Sequence, residues 1–140
     1  MERRSLLVAL LGAVLVGAAG CGGPMEPQEL ARSVQTLESS ASEGALLADG
    51  VARNRTKATF VRAHSRDLGE TVDHEAEKLA DADANGEVAM RKSQAVDLAD
   101  RISQALGKLQ ESPGVESEGA AAQRELRSFA KRAAEISDAL

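Results

Sequence analysis

The sequence contains no tryptophan and no tyrosine, and it has only two phenylalanines, two histidines and one cysteine. A single cysteine excludes an internal disulfide framework and any zinc site built from several cysteines. So few aromatic side chains leave little on which a nucleic-acid base could stack. The formal net charge of −5 is also opposite to the basic footprint expected of a nucleic-acid binder. We therefore expect no nucleic-acid partner.

Sequence signatures of catalysis are missing as well. The chain has no Ser–His–acid spacing, no HExxH zinc motif and no glycine-rich phosphate loop. The glycines at positions 20, 22 and 23 surround the cysteine and fit a processing site better than a phosphate site. The sequence therefore predicts a protein that is not an enzyme and that needs no cofactor.

The first 20 residues have the pattern of an export signal. Arg3 and Arg4 lie in a short charged head, and a nearly unbroken apolar run follows over residues 6–16. Small residues then lead to Cys21. This order is typical of secretory signals. The apolar run is shorter than the roughly 20 residues of a membrane-spanning helix.

Ala18-Ala19-Gly20-Cys21 resembles the lipobox of bacterial lipoproteins. In that class the cysteine is acylated, typically with palmitate, and becomes the first mature residue. The resemblance therefore implies a lipid anchor on Cys21 and an extracytoplasmic location at the cell membrane, or at the outer membrane of a Gram-negative cell. Ala18 stands where leucine is usual. The mature part resembles the small helical lipoproteins of high-GC bacteria. The alternative is an ordinary secretory signal followed by a chance cysteine.

Apolar residues recur at helical spacing in four separate stretches. In the first stretch they step alternately by four and three residues from Leu30 to Val51. This period predicts amphipathic helices with a coiled-coil-like seam, and no strand-like alternation competes with it. The four stripes cover residues 30–51, 61–79, 88–109 and 122–140.

Turn residues separate the stripes. Pro27 suits a first helical turn, while Asn85-Gly86 and Ser112-Pro113-Gly114 break the chain between stripes. The break at residues 54–56 is the least marked, and Gly50 is a candidate for an earlier end of the first helix. Helices of about 23–27 residues with short turns predict an all-α, antiparallel up-down-up-down four-helix bundle. The expected organisation is a cleaved signal peptide at 1–20, a lipid-anchored linker at 21–28 and the bundle at 29–140.

The predicted core contains few large side chains. Leucine, isoleucine, valine and phenylalanine make up 22 of the 120 residues that follow the signal. That share is close to the range in which chains become disordered. We expect close packing of alanine and glycine to compensate. A continuous rod, as in the small murein lipoproteins, is the alternative, and the glycine and proline breaks argue against it.

Two charged residues fall at inward positions. Glu75 lies about 40° from the centre of the second stripe on a helix of 100° per residue, and Lys92 lies inside the third stripe. If the chain folds back at Asn85-Gly86, the two residues would lie within about one turn of each other. The sequence thus predicts a polar core pair, Glu75–Lys92, that fixes helix register. A small polar binding pocket at this layer is the functional alternative.

The histidines offer little for metal binding. His64 and His74 lie about 15 Å apart along a helix, so they cannot share one ion. Glu70 and His74 are four residues apart and are the remaining candidates for a shared metal. Bundle metal sites, however, use Glu-x-x-His on two helices, and Thr71 stands three residues before His74. We therefore predict no metal site.

Charge is distributed unevenly along the chain. The connection between the first and second predicted helices is rich in basic residues, whereas the second helix ends in acidic residues. In the predicted bundle these clusters lie at opposite ends, so the basic cluster would form a tip that faces an acidic envelope protein or an anionic wall polymer. A merely solvated face is the alternative. The overall expectation is a membrane-anchored binding or interaction module of the cell envelope, or else a bundle that binds a small ligand or metal. The predicted tip comprises Arg53, Arg55, Lys57, Arg62 and Arg66.

Overall fold

A computed structural model describes residues 22–140, which form four α-helices and no strand. The helices contain 83% of these residues. The predicted all-α class, the number of helices and the positions of the turns are therefore confirmed. The predicted signal peptide and Cys21 lie outside the described residues. The helices are α1 (Pro27–Ala52), α2 (Ala58–Asp81), α3 (Gly86–Glu111) and α4 (Glu116–Asp138).

The four helices form a bundle with four unequal sides. The α1–α4 side has the most extensive contacts, followed by the α2–α3 side. The α3–α4 side is less closely packed, and the α1–α2 side is the least closely packed of the four. Within residues 22–140, α2 and α4 do not contact each other, so they occupy opposite corners.

The core follows the apolar stripes. Every stripe position of α1 from Leu30 to Val51 is buried, as are the four stripe residues of α2. Leu98 and Ala105 widen the buried face of α3 beyond the predicted stripe. Full burial of one large aliphatic side chain contributes about 1.5–3 kcal/mol to folding. The stripes are therefore the main source of the bundle's stability.

Two glycines allow α1 and its partner helices to approach closely. A Cβ on Gly119 of α4 would lie 2.7 Å from the backbone nitrogen of Ala52 and 2.8 Å from the Val51 side chain. A Cβ on Gly44 of α1 would lie 2.8 Å from Leu106 Cδ2. Real Cβ atoms do not tolerate such distances to backbone. The helices therefore pack closely without large side chains between them. This is the close packing expected from the many alanines and glycines of the sequence.

The start of α1 and the first turn have specific local causes. Glu26 is the N-cap and forms a capping box with Glu29, while Pro27 occupies the first helical turn. The helix does not end at Gly50, so that alternative is wrong. Gly50 instead leaves room for Thr56, whose Oγ1 would meet a Cβ at that position. Asn54 then reverses the chain with a φ of 52°.

The segment ahead of α1 is attached to the turn between α2 and α3. The Met25 side chain is only 8% exposed, and its backbone N–H donates to the Asp83 carbonyl at 2.7 Å. The helix itself begins at Pro27, two residues earlier than the predicted bundle boundary. The N-terminal end of the bundle is thus fixed from its first residues.

Replacing Gly119 with alanine should lower the free energy of unfolding by about 1–3 kcal/mol, because the new methyl group overpacks the α1–α4 contact. Gly107→Ala in α3 is the matched control, since nothing lies within 4 Å of its Cβ position. That variant should gain about 0.5–1 kcal/mol from helix propensity. Urea denaturation followed by far-UV circular dichroism measures both values. An equal gain in the two variants would contradict the close α1–α4 approach.

Candidate functional site

The five residues of the predicted tip, here called the basic tip, lie together at the α1–α2 corner and are all exposed. Arg53 is the C-cap of α1, and Lys57 is the N-cap of α2. Arg55 lies in the turn between them. Arg62 and Arg66 follow on the first turns of α2. The structure therefore brings together the residues that the sequence placed in this cluster.

One member of the basic tip is already paired. Arg53 Nε lies 3.0 Å from the Asp49 carboxylate, which also accepts a 2.6 Å hydrogen bond from Gln123 Nε2 on α4. Burial alone would raise the pKa of Asp49, but the hydrogen bonds from Arg53 and Gln123 and the charges of Arg53 and Arg127 outweigh it and lower the pKa. The Asp49 carboxylate thus ties the corner to α4 and partly neutralises Arg53.

The other four cations of the basic tip have no carboxylate within 4.0 Å among the described residues. The same end of the bundle also carries exposed acidic residues, which lie far from the basic tip in the sequence. The antiparallel topology brings the α3–α4 turn to this end, as the Gly119–Val51 contact shows. This end is therefore basic at one corner and acidic at the other. The acidic residues are Glu111, Glu116 and Glu118.

A groove runs along the side where α1 and α2 face each other. Three adjoining cavities form it, with volumes of about 280, 390 and 240 Å³. Neighbouring cavities share Arg32 at one junction and Glu43 at the other. The groove exists because α1 presents serines, not leucines, to α2 at positions 33 and 40. The residues that define this α1–α2 groove are Arg32, Thr36, Ser40, Glu43, Phe60 and Thr71.

Hydroxyl groups line the middle of the α1–α2 groove. Thr36 and Thr71 each donate to a backbone carbonyl one turn earlier, at 3.2 and 3.0 Å. Ser40 is only 4% exposed, and it lines the central cavity, which is open to solvent. Among the described residues, the buried side-chain nitrogen or oxygen that lacks a partner lies elsewhere, at Arg91 Nε on α3. Sequence patterns do not reveal the groove residues, because serine and threonine at the edge of an apolar stripe are common and the neighbouring helix is not known at that level.

An aromatic side chain stands at one end of the α1–α2 groove. Phe60 is 56% exposed, and its ring stacks on the His64 imidazole with centroids 5.3 Å apart and planes at 19°. His64 Nε2 lies 2.7 Å from Glu43 Oε1 on α1. The His64 imidazole is thus hydrogen-bonded to Glu43 on one side and stacked on the Phe60 ring on the other. In the sequence, the spacing of four residues between Phe60 and His64 is the feature that indicates contact between the two rings on one helix.

The structure gives Glu75 and Lys92 different partners instead of pairing them. Glu75 Oε2 lies 3.4 Å from Lys78 Nζ, which also donates to Ser33 Oγ on α1 at 3.1 Å. Lys92 Nζ donates to the Ala82 carbonyl at 2.7 Å. Lys78 is closer to Glu75 than Lys92 is, because it lies one turn further along the same helix. Lys92 instead satisfies a carbonyl at the end of α2, where backbone acceptors lack helical partners.

Glu70 and His74, the remaining metal candidates, are both exposed. Over residues 22–140 no group of three or more histidine, cysteine or acidic side chains is arranged to hold a metal ion. None of the helices in that range combines the length and apolar character needed to cross a membrane. The chain matches no family model, and no curated protein or solved structure is significantly similar to it.

A double-mutant cycle tests the separate roles of Glu75 and Lys92. Lys92→Met should cost about 1–2 kcal/mol, because the partly buried Ala82 carbonyl at the end of α2 loses a hydrogen bond from a charged donor. Glu75→Gln should add to it with a coupling energy below about 0.5 kcal/mol, since the two residues share no partner. Chemical denaturation of the two single variants and the double variant gives the coupling. A coupling above about 1 kcal/mol would mean that the two side chains pair.

Proposed function

We propose that this chain is a bacterial lipoprotein, anchored through acylated Cys21 on the outer side of a cell-envelope membrane, where its bundle acts as a binding module. The observation that carries the proposal is the lipobox-like sequence Ala18-Ala19-Gly20-Cys21, which lies just ahead of a docked residue. Met25 follows Cys21 by four residues and is fixed to the α2–α3 turn. Four residues span at most about 14 Å, so an acylated Cys21 would hold the bundle close to the bilayer.

The attachment point determines which surface faces away from the membrane. Helix α1 has 26 residues and is therefore about 39 Å long. The basic tip lies at its far end, and the exposed Asp81, Asp83 and Glu87 lie near Met25. Anionic lipids would repel these acidic residues, which favours an orientation with the basic tip pointing outward. Unpaired cations at that position suit an acidic partner, such as an envelope protein or an anionic wall polymer.

Replacing Cys21 with serine should abolish incorporation of a palmitate analogue and release the protein from the membrane fraction, because serine provides no thiol for acylation. Gly23→Ala is the matched control, since nothing lies within 4 Å of that Cβ position. The control should be labelled and membrane-bound like the parent chain. Metabolic labelling in a bacterial host, followed by fractionation, reads out both properties. A parent chain that is exported but carries no label would refute the anchor.

Reversing two charges of the basic tip tests its partner chemistry. Arg55→Glu with Lys57→Glu should weaken co-sedimentation with cell walls that retain their anionic polymers by about tenfold at low salt. Arg124→Glu with Lys131→Glu, on exposed positions of α4, is the charge-matched control and should bind like the parent. Equal loss in both double variants would indicate a nonspecific effect of net charge. Unchanged binding by the tip variant would remove the tip as a partner site.

A bundle that binds a small ligand is the second candidate function. The observation that favours it is the α1–α2 groove, whose central cavity of about 390 Å³ is lined in part by the hydroxyl groups of Thr36, Ser40 and Thr71. Neither the Glu75–Lys92 layer nor Glu70 with His74 supplies such a cavity. If the bundle binds a ligand within itself, the α1–α2 groove is therefore the place.

A further inference from the structure

We propose that the basic tip and the two apolar side chains beside it, Leu46 and Phe60, dock onto an anionic phospholipid bilayer. The inference deepens the proposed function, because it names the partner class of the basic tip, and it rests on that function for the anchor at the opposite end. The protein would then join two membrane surfaces, one that holds its acyl chains and one that faces the tip.

The chain around the first turn carries cations without intervening acids. Residues 53–66 contain five arginine or lysine residues, one histidine and no aspartate or glutamate. The last two carboxylates of α1 are already engaged: Glu43 lies 2.7 Å from His64, and Asp49 lies 3.0 Å from Arg53. The other four cations of the basic tip have no carboxylate within 4.0 Å over residues 22–140, so they remain available to lipid phosphates.

Two apolar side chains stand next to these cations. Leu46 is 71% exposed and Phe60 is 56% exposed, which makes them the most exposed large apolar side chains among the described residues. Both line one cavity together with Thr56, which lies in the turn between Arg55 and Lys57. A single exposed leucine is ordinary on a protein surface, but this pair adjoins a basic cluster. A bilayer offers acyl chains to the pair and phosphates to the cations.

The Phe60 ring is held in place before it meets a bilayer. It stacks on the His64 imidazole, which is hydrogen-bonded to Glu43 of α1. A side chain that is already ordered loses little rotamer freedom on binding. Phenylalanine and leucine are also typical of the apolar face that surface-bound helices bury at the boundary between headgroups and acyl chains.

The charges at this end of the bundle determine how a bilayer is approached. The basic tip forms one corner, and Glu111, Glu116 and Glu118 lie at the other. An approach in which the α1–α2 corner leads brings cations and apolar side chains to the lipid and keeps the carboxylates away from it. Each basic residue near an anionic surface strengthens binding by about fivefold. Four unpaired cations with two apolar side chains therefore favour reversible docking.

The apolar pair distinguishes a bilayer from the other acidic partners of the tip. A soluble polyanion would satisfy the cations but would leave Leu46 and Phe60 in water. The tip also lies at the opposite end of α1 from the anchor, about 39 Å away. The tip of an upright bundle therefore meets a bilayer that faces the one holding Cys21.

Vesicle bridging by the acylated protein tests the proposal. The protein is extracted from host membranes and reconstituted in dense, sucrose-loaded donor vesicles of phosphatidylcholine. Fluorescent acceptor vesicles contain phosphatidylcholine alone, or equal parts of phosphatidylcholine and phosphatidylglycerol. Anionic acceptors should sediment with the donors, whereas neutral acceptors should stay in the supernatant.

Two double variants divide the docking surface into its apolar and charged parts. Leu46→Ala with Phe60→Ala should raise the acceptor lipid concentration needed for half-maximal bridging by about tenfold. Arg55→Glu with Lys57→Glu should raise it by at least about tenfold. All four side chains are exposed, so both variants should melt like the parent. Arg124→Glu with Lys131→Glu on α4 is the charge-matched control and should bridge like the parent.

The absence of tryptophan allows a direct measurement of insertion. Phe60→Trp introduces a single indole into the chain. Its fluorescence should shift to the blue on anionic acceptors and be quenched by brominated acyl chains. Val115→Trp is the matched control, because Val115 is 45% exposed at the N-cap of α4, at the acidic corner of the same end. The emission of that control should not change.

Three outcomes would overturn the inference: no preference for anionic acceptors, parental bridging by the apolar variant, or unchanged emission from the Phe60→Trp variant. Loss of bridging in the charge variant alone would assign the tip to a polyanion instead. The anchor is tested separately, because a chain that does not stay with the donor vesicles refutes it. The Phe60→Trp emission with anionic vesicles then still tests the docking surface. Acylation without bridging would refute the docking surface and keep the anchor.

Discussion

The close approach of α1 and α4 is the contact on which the rest of the bundle depends. The chain has few large apolar residues, so it gains much of its packing from backbones that meet without intervening side chains. Gly119 at Val51 and Ala52 provides that contact. One face of α1 thereby packs against α4, and the edge of α1 that carries Ser33 and Ser40 faces α2. The tight side and the open side of the bundle are thus two results of one arrangement, and the α1–α2 groove is the open one.

Polar contacts complete the structure where apolar packing is thin. Lys92 donates to the carbonyl of Ala82, and the Met25 backbone donates to Asp83 in the same turn. At the other end, Asp49 joins Arg53 to Gln123 of α4. Each of these contacts satisfies a backbone or charged group at a helix end, where helical hydrogen bonds run out. The two ends are therefore tied by polar groups, and the middle is held by the stripes.

The fold could be predicted from the sequence because its signals are local. Steps of three and four residues identify each helix, and Asn85-Gly86 identifies a turn without reference to any other segment. The site required information that local patterns lack. The predicted Glu75–Lys92 pair did not allow for the competing Lys78 one turn away, and Ser40 becomes notable only when the distance to α2 is known. The end of α1 also depends on non-local contacts. Glycine at position 50 is compatible with a helix end there, but the helix continues, and the role of Gly50 is set by its contact with Thr56 after the turn.

The docking of Met25 has a mechanical consequence. A force applied to the residues ahead of Met25 enters the bundle through one hydrogen bond to Asp83 and one buried side chain. Beyond them it acts along the axis of α1, whose longest contact is with α4. A pull in that direction loads the α1–α4 seam in shear, so many contacts resist together instead of opening one after another. Helix α1 is thus the helix best placed to bear tension applied ahead of Met25, because its contacts with α4 share the load.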